Sequence, residues 1–468
     1  MGAETVYNTM ELVQLFLRGV ADTYGFKKQG VHHAIQWASA PHDAPEHSRR
    51  FRLALYISYM QGATDINTEE GLWHMEEDFA FFNRQSKGCI DHLIQQQDFH
   101  RYLASHTRRG HFHTPMAFVH GRYDGFIDFR RDYTWGWFPS GSKPQGINTD
   151  AENSWDLMKV FYPQSKPGAS IYRHPCPTDK PQGYFTSTPL GNVDALPIEK
   201  APFAEMPYEA LAFMGYNYYE KEDFERLEAF VRRGGKLILT MAHMTDTTAY
   251  EDIRDRHMNY LETVFSFTDG APEMVEDSVG GEPVPVCANV KVGEVLARTD
   301  SGRALVSRYR MGEGTVVLFH AGVYPSHPSI RALYEEELRS TMIALADKES
   351  SWVRCGEDVQ FTLYDDGDVR EIYLIAPDWY RAPELLRHAE VRVGTHFYPI
   401  SFPFGTMIKC MVKGDTMAYP HTESGEVLDI SGDKVRVQGE GKVDFTVCTD
   451  GKQRTVTVDF TEQNTQYI

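Results

Sequence analysis

The sequence predicts a multidomain α/β chain that closes in an all-β module. Three observations carry that expectation. A chain of 468 residues exceeds what one core organises, helical and strand periodicities alternate up to about residue 350, and helical periodicity vanishes from residue 357 onward.

The elements follow in order. Over residues 9–24, Leu12, Leu15, Phe16, Gly19 and Val20 fall on one helical face, and Gly25 stands where a C-cap belongs. Residues 30–37 read as a strand. After a loop over 38–46 holding Pro41 and Pro45, residues 50–61 form an amphipathic helix with Phe51, Leu55 and Tyr59 on one side and Gly62 at its end. A strand over 63–68 and a long helix over 83–106 complete an α-β-α-β-α order, the rhythm of parallel α/β structure. Residues 115–120 give a further strand. The aromatic run 133–139 lies in a Gly-, Pro- and Ser-rich stretch that marks a domain boundary.

The clearest unit spans residues 210–240. Residues 210–214 are a fully apolar strand, 220–233 a helix with Phe224, Leu227, Phe230 and Val231 inward, Gly234-Gly235 its stop, and 236–240 a second buried strand. Two parallel strands joined by one helix form a right-handed βαβ unit of a doubly wound sheet. A short helix is expected over 155–161, strands over 183–188 and 314–319, a closing helix over 329–346, and irregular chain over 245–290. Beyond 357, alternating segments such as 360–364, 369–375, 407–412 and 443–447 are separated by Gly, Asp and Pro turns, the spacing of a β-sandwich. The expected domains are a partial (β/α)8-type barrel segment over 1–130, an α/β domain over 131–350 and a β-sandwich over 351–468.

Composition narrows the partners. Acidic residues outnumber basic ones 66 to 47, a formal net charge of -19, which argues against nucleic acid because phosphate neutralisation needs clustered Lys and Arg. Aromatics at 13% suit a protein that handles neutral ligands. The six cysteines are scattered without a C-x-x-C pair, against a zinc site or a disulfide framework. No apolar run approaches the ~20 residues of a membrane span and the polar start is no signal peptide, so a cytoplasmic chain without a membrane partner is expected. No G-x-G-x-x-G or Walker pattern occurs, and no cofactor is expected.

The most informative run is Asp65-Ile66-Asn67-Thr68-Glu69-Glu70-Gly71-Leu72-Trp73, a short strand ending in two carboxylates, a glycine and an indole. Barrel enzymes place catalytic groups at the C-terminal ends of strands, and glycosidic-bond chemistry uses paired carboxylates. Glu69 or Glu70 is the candidate catalytic group; a solvated acidic loop is the plain alternative. Asn67 would bond sugar hydroxyls. Trp73 and Trp37 would stack on a pyranose face, with core packing as their alternative. His32 and His33 stand near the end of the neighbouring strand as candidate sugar contacts. Arg122, in the turn Arg122-Tyr123-Asp124-Gly125, borders the same pocket or simply holds the turn. His111 and His113 have no carboxylate or cysteine at ligand spacing, so no metal is expected.

These residues carry a resemblance. The order of the Asn67-to-Trp73 segment, then Leu211-Ala212-Phe213-Met214-Gly215 and Phe230-Val231-Arg232-Arg233-Gly234-Gly235-Lys236-Leu237-Ile238-Leu239, then a small β-sandwich, resembles the C-terminal part of a family 42-type β-galactosidase or a relative in clan A of the glycoside hydrolases. The resemblance implies late barrel strands, a flavodoxin-like, class I amidotransferase-like domain of the kind called the trimerisation domain, and hydrolysis of a glycosidic bond without a cofactor. It also implies a homo-oligomer. The departures are specific. The family's acid/base follows an asparagine, yet the chain has no Asn-Glu dipeptide, and the strand over 30–37 offers His32, His33, Gln36 and Trp37 but no carboxylate for a nucleophile. A full barrel needs ~250 residues. The chain is therefore expected to be a fragment, a split subunit whose barrel a partner chain completes, or a branch that keeps a barrel remnant. The alternative to an enzyme is a non-catalytic carbohydrate-binding or assembly subunit.

Overall fold

The computed structural model describes residues 2–5, 9–33, 45–68, 87–121, 124, 149–165, 185–217, 220–244, 265–378 and 384–468. Three short parallel strands open the chain: β1 (Gly2–Thr5), β2 (Gly30–His33) and β3 (Asp65–Thr68), with β2 in the middle. Helices α1 (Met10–Tyr24) and α2 (Pro45–Met60) lie between them in sequence and α3 (Lys87–Ser105) follows. Helix α1 ends at Gly25, whose φ of 68° is the left-handed cap that the sequence predicts. Ala3, Val31 and Ile66 pack on Val13 and Leu17 of α1.

A second sheet contains β5 (Met116–His120), β6 (Asp194–Pro197), β7 (Ala210–Phe213) and β8 (Lys236–Thr240), all parallel in the order β8-β7-β5-β6. The expected βαβ unit is present, with the helix Lys221–Arg232 between β7 and β8. Its start is fixed by the Glu220 N–H donating to Asp223 Oδ2 at 3.2 Å. Gly235 follows because a Cβ there would stand 2.3 Å from the Phe230 ring. Strands β11 (Glu294–Arg298), β12 (Ala304–Met311) and β13 (Gly314–Phe319) extend the sheet beyond β8; β13 is parallel to β8 and β12 antiparallel to β13.

Side chains of this sheet alternate between two cores. Met116, Phe118, Ala212, Ile238, Val317 and Phe319 face one side with Leu12 and Leu15 of α1 and Tyr334, Leu338 and Met342 of the helix Arg331–Lys348. Ala117, Val119, Leu211, Phe213, Leu237 and Leu239 face the other with Phe224, Leu227 and Phe230. A sheet covered by helices on both faces requires strands apolar on both faces, which is why these segments read as continuous apolar runs.

The C-terminal third is a β-sandwich. Gln360–Asp365, Arg370–Ile375, Ile408–Lys413, Thr416–Pro420, Lys442–Thr449 and Lys452–Asp459 form one large sheet. Ser351–Cys355, Leu386–Val393 and His396–Pro403 form a second sheet; Gly425–Ser431, Lys434–Gly439 and Thr465–Tyr467 form a third. The chain is thus a multidomain α/β protein with a terminal β-sandwich. Among the described residues no helix is long and apolar enough to cross a membrane.

Three local expectations are corrected. Met116–His120, placed on the barrel side of a boundary at residue 130, is a strand of the central sheet, while β4 (His111–His113) crosses over to pair with Leu363–Asp365 of the sandwich. Residues 185–188 form no strand; Thr188 is held to Phe361 by the Phe361 N–H donating to its hydroxyl at 2.8 Å, and the strand comes later, at Asp194–Pro197. The stretch called irregular holds a hairpin, β9 (Met274–Val279) and β10 (Glu282–Cys287), turned at Gly280 and Gly281 with φ of 59° and 84°. A Gly-Gly pair between strands is the signature of a two-residue primed turn, so the signal was present.

Helix α1 is wedged among all these parts, and its polar residues are buried with its apolar ones. The Arg18 guanidinium donates Nε to Asp194 Oδ1 of β6 at 2.6 Å, Nη1 to the Gln61 backbone O at 2.9 Å and to Gln61 Oε1 at 2.8 Å, and Nη2 to Val193 O at 3.1 Å. It also lies 3.9 Å from the Phe112 ring centroid on β4. Tyr208 Oη donates to the other Asp194 oxygen at 2.9 Å. Gly19, one residue on, permits the approach: a Cβ there would stand 1.8 Å from Ala195 O. Glu11 accepts from the Thr186 N–H at 3.1 Å and from Gln360 Nε2 of the sandwich. Burial pushes its carboxyl up to about 8, against the pull of those donors.

Two outcomes follow from this junction. Arg18→Met and Asp194→Asn each leave a buried partner uncompensated and are expected to cost on the order of 3–5 kcal/mol in denaturant unfolding, with the double variant costing less than the sum. The Glu11 carboxyl has a folded pKa above its unfolded value, so its contribution to stability is complete below about pH 4.5 and is lost as pH rises through about 8. Resistance to thermal unfolding should therefore fall as pH rises from about 4.5 to about 8 in the native chain, and Glu11→Gln should flatten that slope.

Candidate functional site on the open face of the parallel sheet

Strand alternation sorts the first sheet into two faces. In register across the sheet stand Glu4, His32 and Asn67, and one step further Thr5, His33 and Thr68. Val31 and His33 are buried toward the helices, whereas His32 is half-buried and Asn67 exposed. His32 and Asn67 are thus brought side by side. They line a shallow cavity of about 510 Å³ together with Gly30 and Asp65, where Gly30 contributes no side chain to narrow it. At the outer end of this surface Asp65 pairs with Lys28 at 3.7 Å and accepts from Thr64 Oγ1 at 3.0 Å.

All three strands run the same way, so Thr5, His33 and Thr68 stand at one edge of the sheet. The backbone leaves β3 at Thr68, one residue before Glu69. Thr68 is itself anchored to α3, because Gln96 Nε2 donates to its hydroxyl at 2.8 Å. Glu69, Glu70, Trp73, Trp37 and Arg122 lie outside the described residues, as do Trp135 and Trp137.

His33 does not join the open face. Its Nε2 stands 2.9 Å from Ser58 Oγ of α2, both groups are fully buried, and desolvation with the nearby His32 charge brings its pKa down to about 3. The ring is a neutral part of the packing between β2 and α2. A one-residue step along a strand reverses the face, so of two adjacent histidines only His32 can reach a ligand on the open side. His113, also considered at the sequence level, bonds Glu349 Oε1 at 2.7 Å and secures β4 at the sandwich edge.

Sequence reasoning missed the polar residues of α1, although the signal exists. Glu11, Gln14 and Arg18 recur at spacings of three and four, a stripe that resembles a solvated face and is in fact buried.

The chain is similar to several solved glycoside hydrolases. A catalytic variant of the GH42 β-galactosidase Gan42B from G. stearothermophilus matches 98% of this chain and 55% of its own at 10% identity, with a TM-score of 0.48. The β-galactosidase of the Antarctic haloarchaeon Halorubrum lacusprofundi matches 82% of this chain and 52% of its own at 14% identity, TM-score 0.48. The α-L-fucosidase isoenzyme 2 of Paenibacillus thiaminolyticus matches 97% and 63% at 11% identity, TM-score 0.46. The chain spans about half to three fifths of the length of these structures. No family model and no curated protein matches it.

The His33 assignment is checked by long-range 1H–15N NMR. The imidazole is expected to remain neutral and in one tautomer from pH 8 down to about pH 5. Because its folded pKa is below the unfolded one, its contribution to stability is present above about pH 6.5 and is lost on acidification toward 3.

Proposed function

We propose that this chain is a carbohydrate-active protein related to the glycoside hydrolases, and that a sugar occupies the open face of β2 and β3. The observation that supports this most directly is the pairing of His32 with Asn67 on the exposed face of parallel strands, immediately before the Glu69-Glu70 pair. Asn67 offers both a donor and an acceptor, and His32 either one, which matches the mixed donor and acceptor character of sugar hydroxyls. The reading keeps the barrel-like arrangement and the flavodoxin-like character of the middle domain as parts of the same proposal. In it, one glutamate of the pair acts on a glycosidic bond as acid or nucleophile, no cofactor takes part, and the second carboxylate comes from outside the described strands.

A second reading has its own support. Among the described residues β1 and β3 pair only with β2, so no described strand covers either outer side of this sheet. Open edges are templates for another chain. A non-catalytic or half-site subunit, completed by a second copy or a partner chain, would use them.

Separate Glu69→Gln and Glu70→Gln variants assayed on aryl glycosides test the catalytic role. Loss of at least about 100-fold in kcat for one of them is expected; unchanged rates in both would remove it. Asn67→Ala should weaken sugar binding by about tenfold, the value of one or two hydrogen bonds. Activity that appears only when a partner chain is added favours the second reading.

A further inference from the structure

A second cleft, of about 880 Å³, lies between helices α2 and α3 and the small sheet of the sandwich, and it shares no lining residue with the open face of β2 and β3. We propose that this cleft binds a neutral polyhydroxylated molecule of monosaccharide size. The carbohydrate reading above guides only the choice of probe; the cleft itself is argued from its walls.

Its size lies within the ~300–1,000 Å³ of small-molecule sites. Its walls are fixed in advance by bonds that do not need a ligand. Arg52 of α2 donates to Glu423 Oε2 at 2.5 Å and to Gly405 O at 2.9 Å, and lies over the Tyr56 ring at 4.3 Å. Glu423 also accepts from the Met407 N–H at 2.7 Å. Beside Tyr56, Tyr102 of α3 stacks on His106 with centroids 4.0 Å apart and planes 16° apart, while His106 Nε2 lies 3.0 Å from Gly425 O. Gln438 spans the junction, its Nε2 donating to Ser105 O at 2.6 Å and to Glu426 Oε2 at 2.8 Å.

Those bonds leave specific atoms to the interior. Among the described residues, Gln438 Oε1 and the Asn464 amide make no side-chain hydrogen bond.

The chemistry of the walls selects the ligand. Four carboxylates, Asp98, Glu423, Glu426 and Glu440, face two guanidiniums, Arg52 and Arg101, which disfavours an anion. A divalent cation is disfavoured as well, because Glu423 is held by Arg52 and Glu426 by Lys409 at 2.8 Å. What remains suited is a molecule with many hydroxyls, each able to donate to a carboxylate or amide oxygen and accept from a guanidinium.

Hydrogen–deuterium exchange of the full chain with D-galactose, D-glucose and D-mannose tests this site separately from the open face. Protection is expected over residues 95–106 and 423–440 with at least one of the three sugars. It should require about tenfold more sugar in Gln438→Ala and in the surface variant Asp98→Ala, and be unchanged in Asn67→Ala. Protection confined to residues 30–33 and 65–68 overturns the cleft while leaving the open-face reading intact. Cleft protection beside unchanged rates in the Glu69 and Glu70 variants leaves the cleft standing without the catalytic proposal. Absence of cleft protection with all three sugars, or equal protection by glucose 6-phosphate, overturns the assignment.

Discussion

The buried guanidinium of Arg18 is the interaction on which the arrangement of the molecule depends. A charge taken out of water needs every donor matched, and Arg18 finds its acceptors on two different elements: Asp194 and Val193 at β6, and Gln61 just beyond α2. Phe112, from the strand bound to the sandwich, covers its face. No one of these parts can move far from α1 without exposing the cost of an unpaired buried ion. Glu11, two turns earlier on the same helix and kept protonated at neutral pH by burial, ties α1 to the sandwich through Gln360 and to residues 185–188 through Thr186. Among the described residues the first sheet has three strands, and Ala3, Val31 and Ile66 bury their side chains against Val13 and Leu17 of α1. The same helix packs Leu12 and Leu15 on the central sheet, so α1 belongs to both cores.

That constraint explains what was legible. Helix α1, strand β8 and strand β13 can be read to within a residue because period, cap and breaker agree: Gly25 ends the first, and Gly234-Gly235 and Gly314 start the other two. The polar stripe of α1 carries no such sign. Glu11 and Arg18 look like solvent-facing residues, and only the approach of β6, 170 or so residues away, makes them interior. The migration of His111–His113 to the sandwich edge is equally invisible locally, since a three-residue strand declares nothing about its partner. Strand Asp194–Pro197 was overlooked because it is short and ends in proline, a residue tolerated here at the end of an edge strand.

At the candidate site, the sequence alone does not separate the two faces of the first sheet. Two adjacent histidines were treated alike, yet the pleat sends His33 into a desolvated contact with Ser58 and leaves His32 beside Asn67. The difference lies in which face the helices cover, which is a tertiary fact. Lone polar residues at strand ends are therefore better judged in cross-strand rows than one at a time: Glu4, His32 and Asn67 share a row, and the row marks the open face more clearly than any single residue.

The same logic connects the open face with the cleft beyond the helices. Helices α2 and α3 have apolar sides that meet in Phe51, Tyr56, Phe99 and Tyr102, so α2 cannot shift without disturbing both surfaces. Its residues His33-bound Ser58 and cleft-lining Arg52 lie six positions apart on one rod. A ligand seated against the pre-formed Arg52–Glu423 pair would steady α2, and through Ser58 would steady β2 beneath His32. Coupling of this kind needs no moving part, because ordering one wall reduces what a second ligand must order. The physical route runs along α2 from the part-buried Arg52–Glu423 pair to the buried Ser58–His33 contact.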